Sequence, residues 1–185
     1  MEFSSSSRTP KYARIEQERR FLLHHLPDDF DPTAPFTHIY DRYLNGTRLR
    51  LRRMTSQSGK LIYKLGQKYR GPDHKPHQTF MTNLYLDENE YRLFMNLPAK
   101  ELFKRRYAYA HTQSFYSLDI FEKHLNGLIL AEIESRAGED INRLPLPSFA
   151  YREVTAETFF LGGNLARLSW VEFEKQLASW QNEKK

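Results

Sequence analysis

The sequence predicts an α+β fold of about eight mostly antiparallel strands with helices set between and after them. Three observations predict it. Polar and apolar residues alternate with period two in several separate stretches, short polar turns join those stretches, and two segments show helical spacing instead. A chain of 185 residues suits one domain. Residues 1–12 read as a flexible tail, and residues 13–185 as a single domain that includes a C-terminal helix.

The elements follow in order. Ser4 to Ser7 and Pro10 carry no periodicity. From Arg14 period two sets in, with Arg14, Glu16, Glu18 and Arg20 on one face and Ile15, Gln17, Arg19 and Phe21 on the other. Pro27 to Pro35 is a loop rich in Asp and Pro. A short strand from about His38 to Leu44 ends in the turn signal Asn45-Gly46. Thr47 to Met54 sets Arg48, Arg50 and Arg52 on one face against Leu49 and Leu51. A turn at Ser56 to Gly59 leads into Lys60 to Lys68, where Lys60, Ile62, Lys64, Gly66 and Lys68 share a phase; the pair reads as a hairpin. Gly71 to His77 is a loop, and Thr79 to Leu86 an uncharged strand with Thr79, Met81 and Asn83 in one phase.

Asp87 with Glu90 three residues on forms a capping box for a helix that stops before Pro98. Leu102 to Ala110 is a strand with Lys104 and Arg106 on one face, and Phe115 to Phe121 another with Asp119 inside it. After the turn Asn126-Gly127, Leu128 to Arg136 sets Glu132, Glu134 and Arg136 opposite Ile129, Ala131 and Ile133. Pro145 and Pro147 mark a loop before Glu153-Val154-Thr155. Leu165 to Asn182 is helical, with an aromatic stripe of Trp170, Phe173, Leu177 and Trp180 that packs on the body of the domain; such a helix is also compatible with a homodimer.

Composition narrows the function. There is no cysteine, which excludes a disulfide scaffold, a thiolate zinc site and a cysteine nucleophile. No apolar run approaches the roughly 20 residues of a membrane span, and the N-terminus lacks the apolar segment of a signal peptide. The expectation is a soluble, cytoplasmic domain with no membrane partner. Residues 1–70 hold 14 Lys and Arg against 7 Asp and Glu, and residues 71–185 hold 14 against 16. A basic half fits an anionic partner or simply a basic surface. No phosphate-binding glycine loop, HExxH or GxSxG motif occurs. The histidine groups His24-His25 and His74/His77 are not expected to bind metal, since adjacent residues on a strand point apart and the second pair lies in a loop.

The strands carry like charges on their polar faces: Arg48/Arg50/Arg52, Glu16/Glu18, Glu132/Glu134, Lys104/Arg106. Two arrangements fit. Either these faces are solvated, or the sheet closes into a barrel with its charged faces inward and helices covering the apolar outside. A charged interior needs pairing, water or a ligand. Arginine forks match phosphate oxygens, and glutamates are hard donors for Mg²⁺ or Mn²⁺, so that interior would be equipment for phosphoryl transfer.

An ordered set of motifs resembles the CYTH domain of the triphosphate tunnel metalloenzymes. Glu16-Gln17-Glu18-Arg19-Arg20-Phe21 resembles the opening ExExK signature, Leu49-Arg50-Leu51-Arg52 the LRxR strand, and Tyr63-Lys64-Leu65-Gly66 the lysine-bearing strand. Lys104-Arg105-Arg106-Tyr107 resembles KxRY, Leu118-Asp119-Ile120-Phe121 xDxF, Gly127 to Glu134 GLxLAExE, and Glu153-Val154-Thr155 the EVT element. The resemblance runs from about residue 14 to 166. It implies a closed eight-stranded antiparallel β-barrel, a tunnel with a charged interior covered by surface helices, that binds a small-molecule triphosphate and Mg²⁺ or Mn²⁺.

Carried over by position, Glu16 and Glu18 would hold metal, Glu132 and Glu134 would complete the acidic wall, and Glu153 would add to it. Asp119 would be a metal ligand or an interior partner for a cation. Arg20, at the signature lysine, would bind phosphate with Arg50, Arg52, Lys64, Lys104 and Arg106, and Arg48 shares their face. Glu16, Glu18, Arg20 and Glu134 would carry catalysis, and reversing the charge of Arg52 would mainly raise KM. The implied reaction is hydrolysis of inorganic triphosphate or a nucleoside triphosphate. Class IV adenylyl cyclases and thiamine triphosphatases are relatives with other outcomes, and a polyphosphate- or RNA-binding module without catalysis is the alternative of another class. Four interior glutamates weigh against the last, and nucleic acid is not the expected partner. The resemblance departs at two places: Arg20 replaces the lysine, and the charged RxExE strand is replaced by the uncharged Gln78 to Leu86.

Overall fold

The computed structural model describes residues 11–70, 76–135 and 141–182. Residues 1–10 of the expected tail, His74 and Arg136 lie outside the described residues. The strands are β1 (Arg14–Leu23), β2 (Phe36–Leu44), β3 (Leu49–Ser56), β4 (Leu61–Tyr69) and β5 (Gln78–Leu86), followed by α1 (Glu88–Met95). Then come β6 (Ala99–His111), β7 (Ser114–Phe121), β8 (Ile129–Glu134), the two-residue β9 (Arg152–Glu153), α2 (Gly162–Leu165) and α3 (Trp170–Asn182). The C-terminal helix is thus shorter than the sequence predicts: α2 ends at Leu165, and Ser169 opens α3, its backbone amide and hydroxyl donating to the Glu172 carboxylate.

The sheet runs β5-β4-β3-β2-β6-β7-β8-β1-β9, and β5 also pairs with β1, so β1 to β8 form a closed antiparallel barrel. Closure depends on the length of β1. Its first residues, Arg14 to Gln17, pair with β5, while Glu18 to Leu23 pair with β8. The tight turns fall where the sequence places them, and Gly46 and Gly127 take φ of +70° and +92°, values that favour glycine. The capping box of α1 is present: the Asp87 side chain accepts from the Glu90 amide, and the Glu90 side chain accepts from the Asp87 amide.

The register decides which face is inside. Asp41 lies opposite Arg52, Arg106 opposite Asp119, Glu132 opposite Arg20 and Glu134 opposite Glu18, so these residues share the interior. The closed barrel, and not the open solvated sheet, is the arrangement observed. Its interior is not charged throughout, however. On β1, β6, β7 and β8 the inward row turns apolar at one end, where Leu22, Leu102, Phe121 and Leu130 join Phe160 and Phe173 in one buried cluster.

Helices cover only part of the outside. Tyr91 of α1 packs on Leu51 and Leu65, and α3 brings Phe173, Leu177 and Trp180 to the apolar end. The outer face of β1, β6, β7 and β8 is covered by loops carrying Leu26, Phe30, Ile141, Leu144 and Phe149. Apolar side chains on irregular segments do the work expected of helices there.

Candidate functional site

The charged part of the interior surrounds a cavity of about 490 Å³. Among the described residues, ten Arg and Lys side chains line it against five Asp and Glu, a cationic excess suited to a polyanion. Three groups of side chains build it.

The first is a set of clamped cations. Asp41 is 1% exposed and accepts from Arg52 Nε at 2.6 Å and Nη2 at 2.7 Å, with Arg50 Nε 3.8 Å away. Burial pushes the Asp41 carboxyl up, but Arg52 and then Arg50 more than offset this and hold it at about 2. Asp119 is fully buried between Lys104, which donates to Oδ2, and Arg106, whose Nε and Nη2 donate at 2.7 and 2.6 Å. Arg106 also donates to Glu132, and Arg20 Nε reaches the same carboxylate at 3.0 Å. Burial raises Glu132, yet Arg106, Lys104 and Arg20 carry it well below the usual range. Burial lowers the Lys104 ammonium, with Asp119 opposing.

The second group is acidic. Glu16, Glu18 and Glu134 each offer a carboxylate oxygen within 4.8 Å of the others. Alternation on β1 puts the first two on one face, and the β1–β8 register adds the third. Desolvation and the nearby Glu16 carboxylate raise Glu134, with Glu18 adding to this and Lys68 and Arg106 opposing. Three oxygen donors that repel one another suit a hard divalent cation such as Mg²⁺ or Mn²⁺.

The third group is uncommitted. Lys64 and Arg48 line the cavity, and neither has a carboxylate at ion-pair distance among the described residues. Lys64 Nζ lies 4.9 Å from the Tyr85 ring centroid, and the Arg48 guanidinium carbon 4.5 Å from that of Tyr69. Gly66 faces inward between Arg50 and Asn83; an added Cβ would stand 2.6 Å from Asn83 Oδ1.

The structure therefore brings together Glu16, Glu18, Arg20, Arg48, Arg50, Arg52, Lys64, Lys104, Arg106, Glu132 and Glu134 around one cavity. Two expected metal ligands stand apart. Glu153 pairs in register with Phe21, on the outer face of β1, where Arg19 Nη2 donates to it at 2.6 Å; strand alternation carries it away from the tunnel. Asp119 is the interior partner of Lys104 and Arg106, and both its oxygens are taken by cations. Glu132 lines the cavity but lies outside the acidic trio, held by Arg20 and Arg106. Of the histidines, His24 packs on Tyr151 at 3.7 Å between ring centroids.

Sequence reasoning missed Asp41 and Lys68. Asp41 sits in phase with Ile39 and Tyr43, so it reads as a polar interruption of an apolar face. Lys68 continues the inward phase of Lys64 and Gly66, a signal that was available.

No family model matches the chain, and no curated protein does. Solved structures do. Two crystal structures of NE1496, described in one as a hypothetical protein and in the other as an inorganic triphosphatase, align with TM-scores of 0.56 and 0.55 at 21% and 20% identity. They cover 83% and 82% of this chain, and 99% and 93% of their own chains are matched. The chain has the CYTH fold. In this chain the pairing of β5 with β1 closes the barrel, and strand alternation sets the rows of charge inward, the two features that make the cavity.

Proposed function

We propose that the chain is a divalent-metal-dependent phosphohydrolase acting on triphosphates, with inorganic triphosphate as the leading substrate. The observation that carries this reading is one cavity holding both the acidic trio Glu16/Glu18/Glu134 and an excess of cations. The description of the similarly folded NE1496 as an inorganic triphosphatase supports the choice of substrate.

The chain's own residues divide the work. Arg48, Arg50 and Lys64 bind the phosphate chain, and Arg52, Lys104 and Arg106, fixed by Asp41 and Asp119, hold it in line. Arg20 ties Glu18 to Glu132 and keeps the acidic corner in place. Glu16, Glu18 and Glu134 would hold Mg²⁺ or Mn²⁺, which supplies charge neutralisation on phosphate oxygens and acidifies bound water. A carboxylate of this acidic corner accepts the proton of the attacking water. The new P–O bond forms at the terminal phosphorus as the bridging P–O bond breaks, and the leaving diphosphate stays paired with the arginines.

The test is a screen of tripolyphosphate, ATP, GTP and thiamine triphosphate with and without Mg²⁺ or Mn²⁺, measuring both phosphate and cyclic nucleotide. Phosphate release from tripolyphosphate, dependent on metal and lost in Glu18→Gln with the fold retained, is the expected result. Cyclic nucleotide from ATP would mean a cyclase. Metal-independent binding without turnover would mean a polyanion receptor.

A further inference from the structure

We propose that Lys68 is the built-in counter-ion of this site: it occupies the carboxylates that a divalent cation needs, and its exchange for that cation couples metal binding to triphosphate binding. This rests on the metal-dependent reading above. Lys68 Nζ lies 2.6 Å from Glu18 Oε2 and 3.4 Å from Glu16 Oε2. These are two of the three carboxylates that converge in the acidic trio, so the ammonium and a cation bridging them compete for the same carboxylates.

The neutral strand explains how Lys68 gets there. On β4, Lys68 pairs with Met81 of β5, and Met81 pairs with Arg14 of β1, so the lysine spans β5 to reach β1. The inward residues of β5 are Thr79, Met81 and Asn83, none of which is charged. A cation or carboxylate on that strand would meet the ammonium first. Thr79, opposite Glu16 in register, is buried, and its Oγ1 has no hydrogen-bond partner among the described residues, leaving a neutral oxygen for an incoming ion or its water.

The other cation on Glu18 behaves differently. Arg20 Nη2 donates to Glu18 Oε1 at 3.0 Å, while its Nε holds Glu132 and its Nη1 the Phe160 carbonyl. That guanidinium is fixed at three points inside the wall. Lys68 is 29% exposed in its side chain, has a flexible stem, and has only Glu16 and Glu18 as carboxylate partners among the described residues. It is the cation that can leave, and once released it faces the cavity that Lys64 also lines. Metal alone must displace Lys68 with no new partner for it. A triphosphate supplies that partner, so each ligand strengthens the other, reciprocally.

The experiment titrates Mn²⁺ into the full chain and reads free Mn²⁺ by electron paramagnetic resonance. It compares wild type, Lys68→Met and Lys68→Arg, with and without the non-hydrolysed analogue imidotriphosphate, corrected for Mn²⁺ bound by the analogue itself. Without analogue, Lys68→Met is expected to bind Mn²⁺ about tenfold more tightly than wild type, and Lys68→Arg close to wild type. The analogue is expected to tighten Mn²⁺ in both proteins, through the contact of metal with phosphate, but by about tenfold more in wild type than in Lys68→Met. Thermal melts check the variants' fold, and a measurement on wild type stands beside them: acylation of Lys68, read by mass spectrometry, is expected to be faster with saturating Mn²⁺ than without metal. Wild-type Mn²⁺ binding with an unchanged Lys68→Met affinity, or with unchanged Lys68 acylation, would overturn the exchange alone. Absence of any Mn²⁺ binding by wild type, with or without analogue, would overturn the metal reading as well.

Discussion

Two sets of cations face the same cavity and differ in what holds them. Arg20, Arg52, Lys104 and Arg106 are paired with Asp41, Asp119 and Glu132 at hydrogen-bonding distance, deep in the wall. Lys64 and Arg48 have no ion-pair partner among the described residues and lie over aromatic rings, at 4.9 and 4.5 Å from the ring centroids. Burying a charge is costly unless its partner is buried with it, so the first set can exist only as pairs. Those pairs preform the cavity and leave some N–H groups aimed inward. The second set has no carboxylate to offset its charge among the described residues. Stability and ligand affinity should therefore separate along this line.

Asp119→Ala is the strongest way to break the distinction. It removes the carboxylate shared by Lys104 and Arg106 and leaves both cations in a desolvated wall. Loss of one partner from a buried pair typically costs about 3–5 kcal/mol; among the described residues Lys104 loses its hydrogen-bonded carboxylate here, while Arg106 keeps Glu132. Urea denaturation should show a fall of that size. A loss below about 1 kcal/mol would mean the clamp is no scaffold and that water screens it as on a surface.

Much of this distinction could not be read from the chain. Period-two alternation identifies β1, β3 and β8 and the inward faces of Glu16, Arg50 and Glu132, because alternation is local. Pairing is not local. Arg52 reads as a phosphate ligand whose reversal raises KM, whereas the structure sets it against Asp41, 11 positions away across the β2–β3 hairpin. Arg52→Glu would then place two carboxylates together in the wall and cost the fold before it cost affinity. Glu153 shows the converse. The motif that contains it does include the short strand β9, but β9 joins β1 at Phe21, on the outer face, and no local pattern reveals that register.

A smaller effect should come from acid. Asp41 has an ordinary value of 3.8 and is held at about 2, because Arg52 and Arg50 outweigh its burial. Its folded pKa is depressed, so its contribution is present above 3.8 and is lost as pH falls toward about 2. A shift of this size corresponds to roughly 2 kcal/mol. Unfolding free energies between pH 2 and 6 should fall more steeply in wild type than in Asp41→Asn, which starts lower but lacks this proton. Parallel curves would place the acid sensitivity elsewhere.

The smallest expected effect on stability, and the sharpest on function, belongs to the uncommitted pair. Lys64→Ala breaks no ion pair among the described residues, so its stability should stay within about 0.5 kcal/mol of wild type. If its charge is reserved for a phosphate, calorimetric titration with tripolyphosphate should show affinity weaker by about tenfold, since charge-assisted phosphate contacts are typically worth 1.5–3 kcal/mol. The loss should shrink as salt rises, because this side chain reaches a cavity open to solvent ions. Arg48→Ala should move the same way by less, since Arg48 is the more exposed of the two. Equal destabilisation by Lys64→Ala and Asp119→Ala would erase the difference between the two sets, and the cationic wall would then be a single structural network with no charge held back for a ligand.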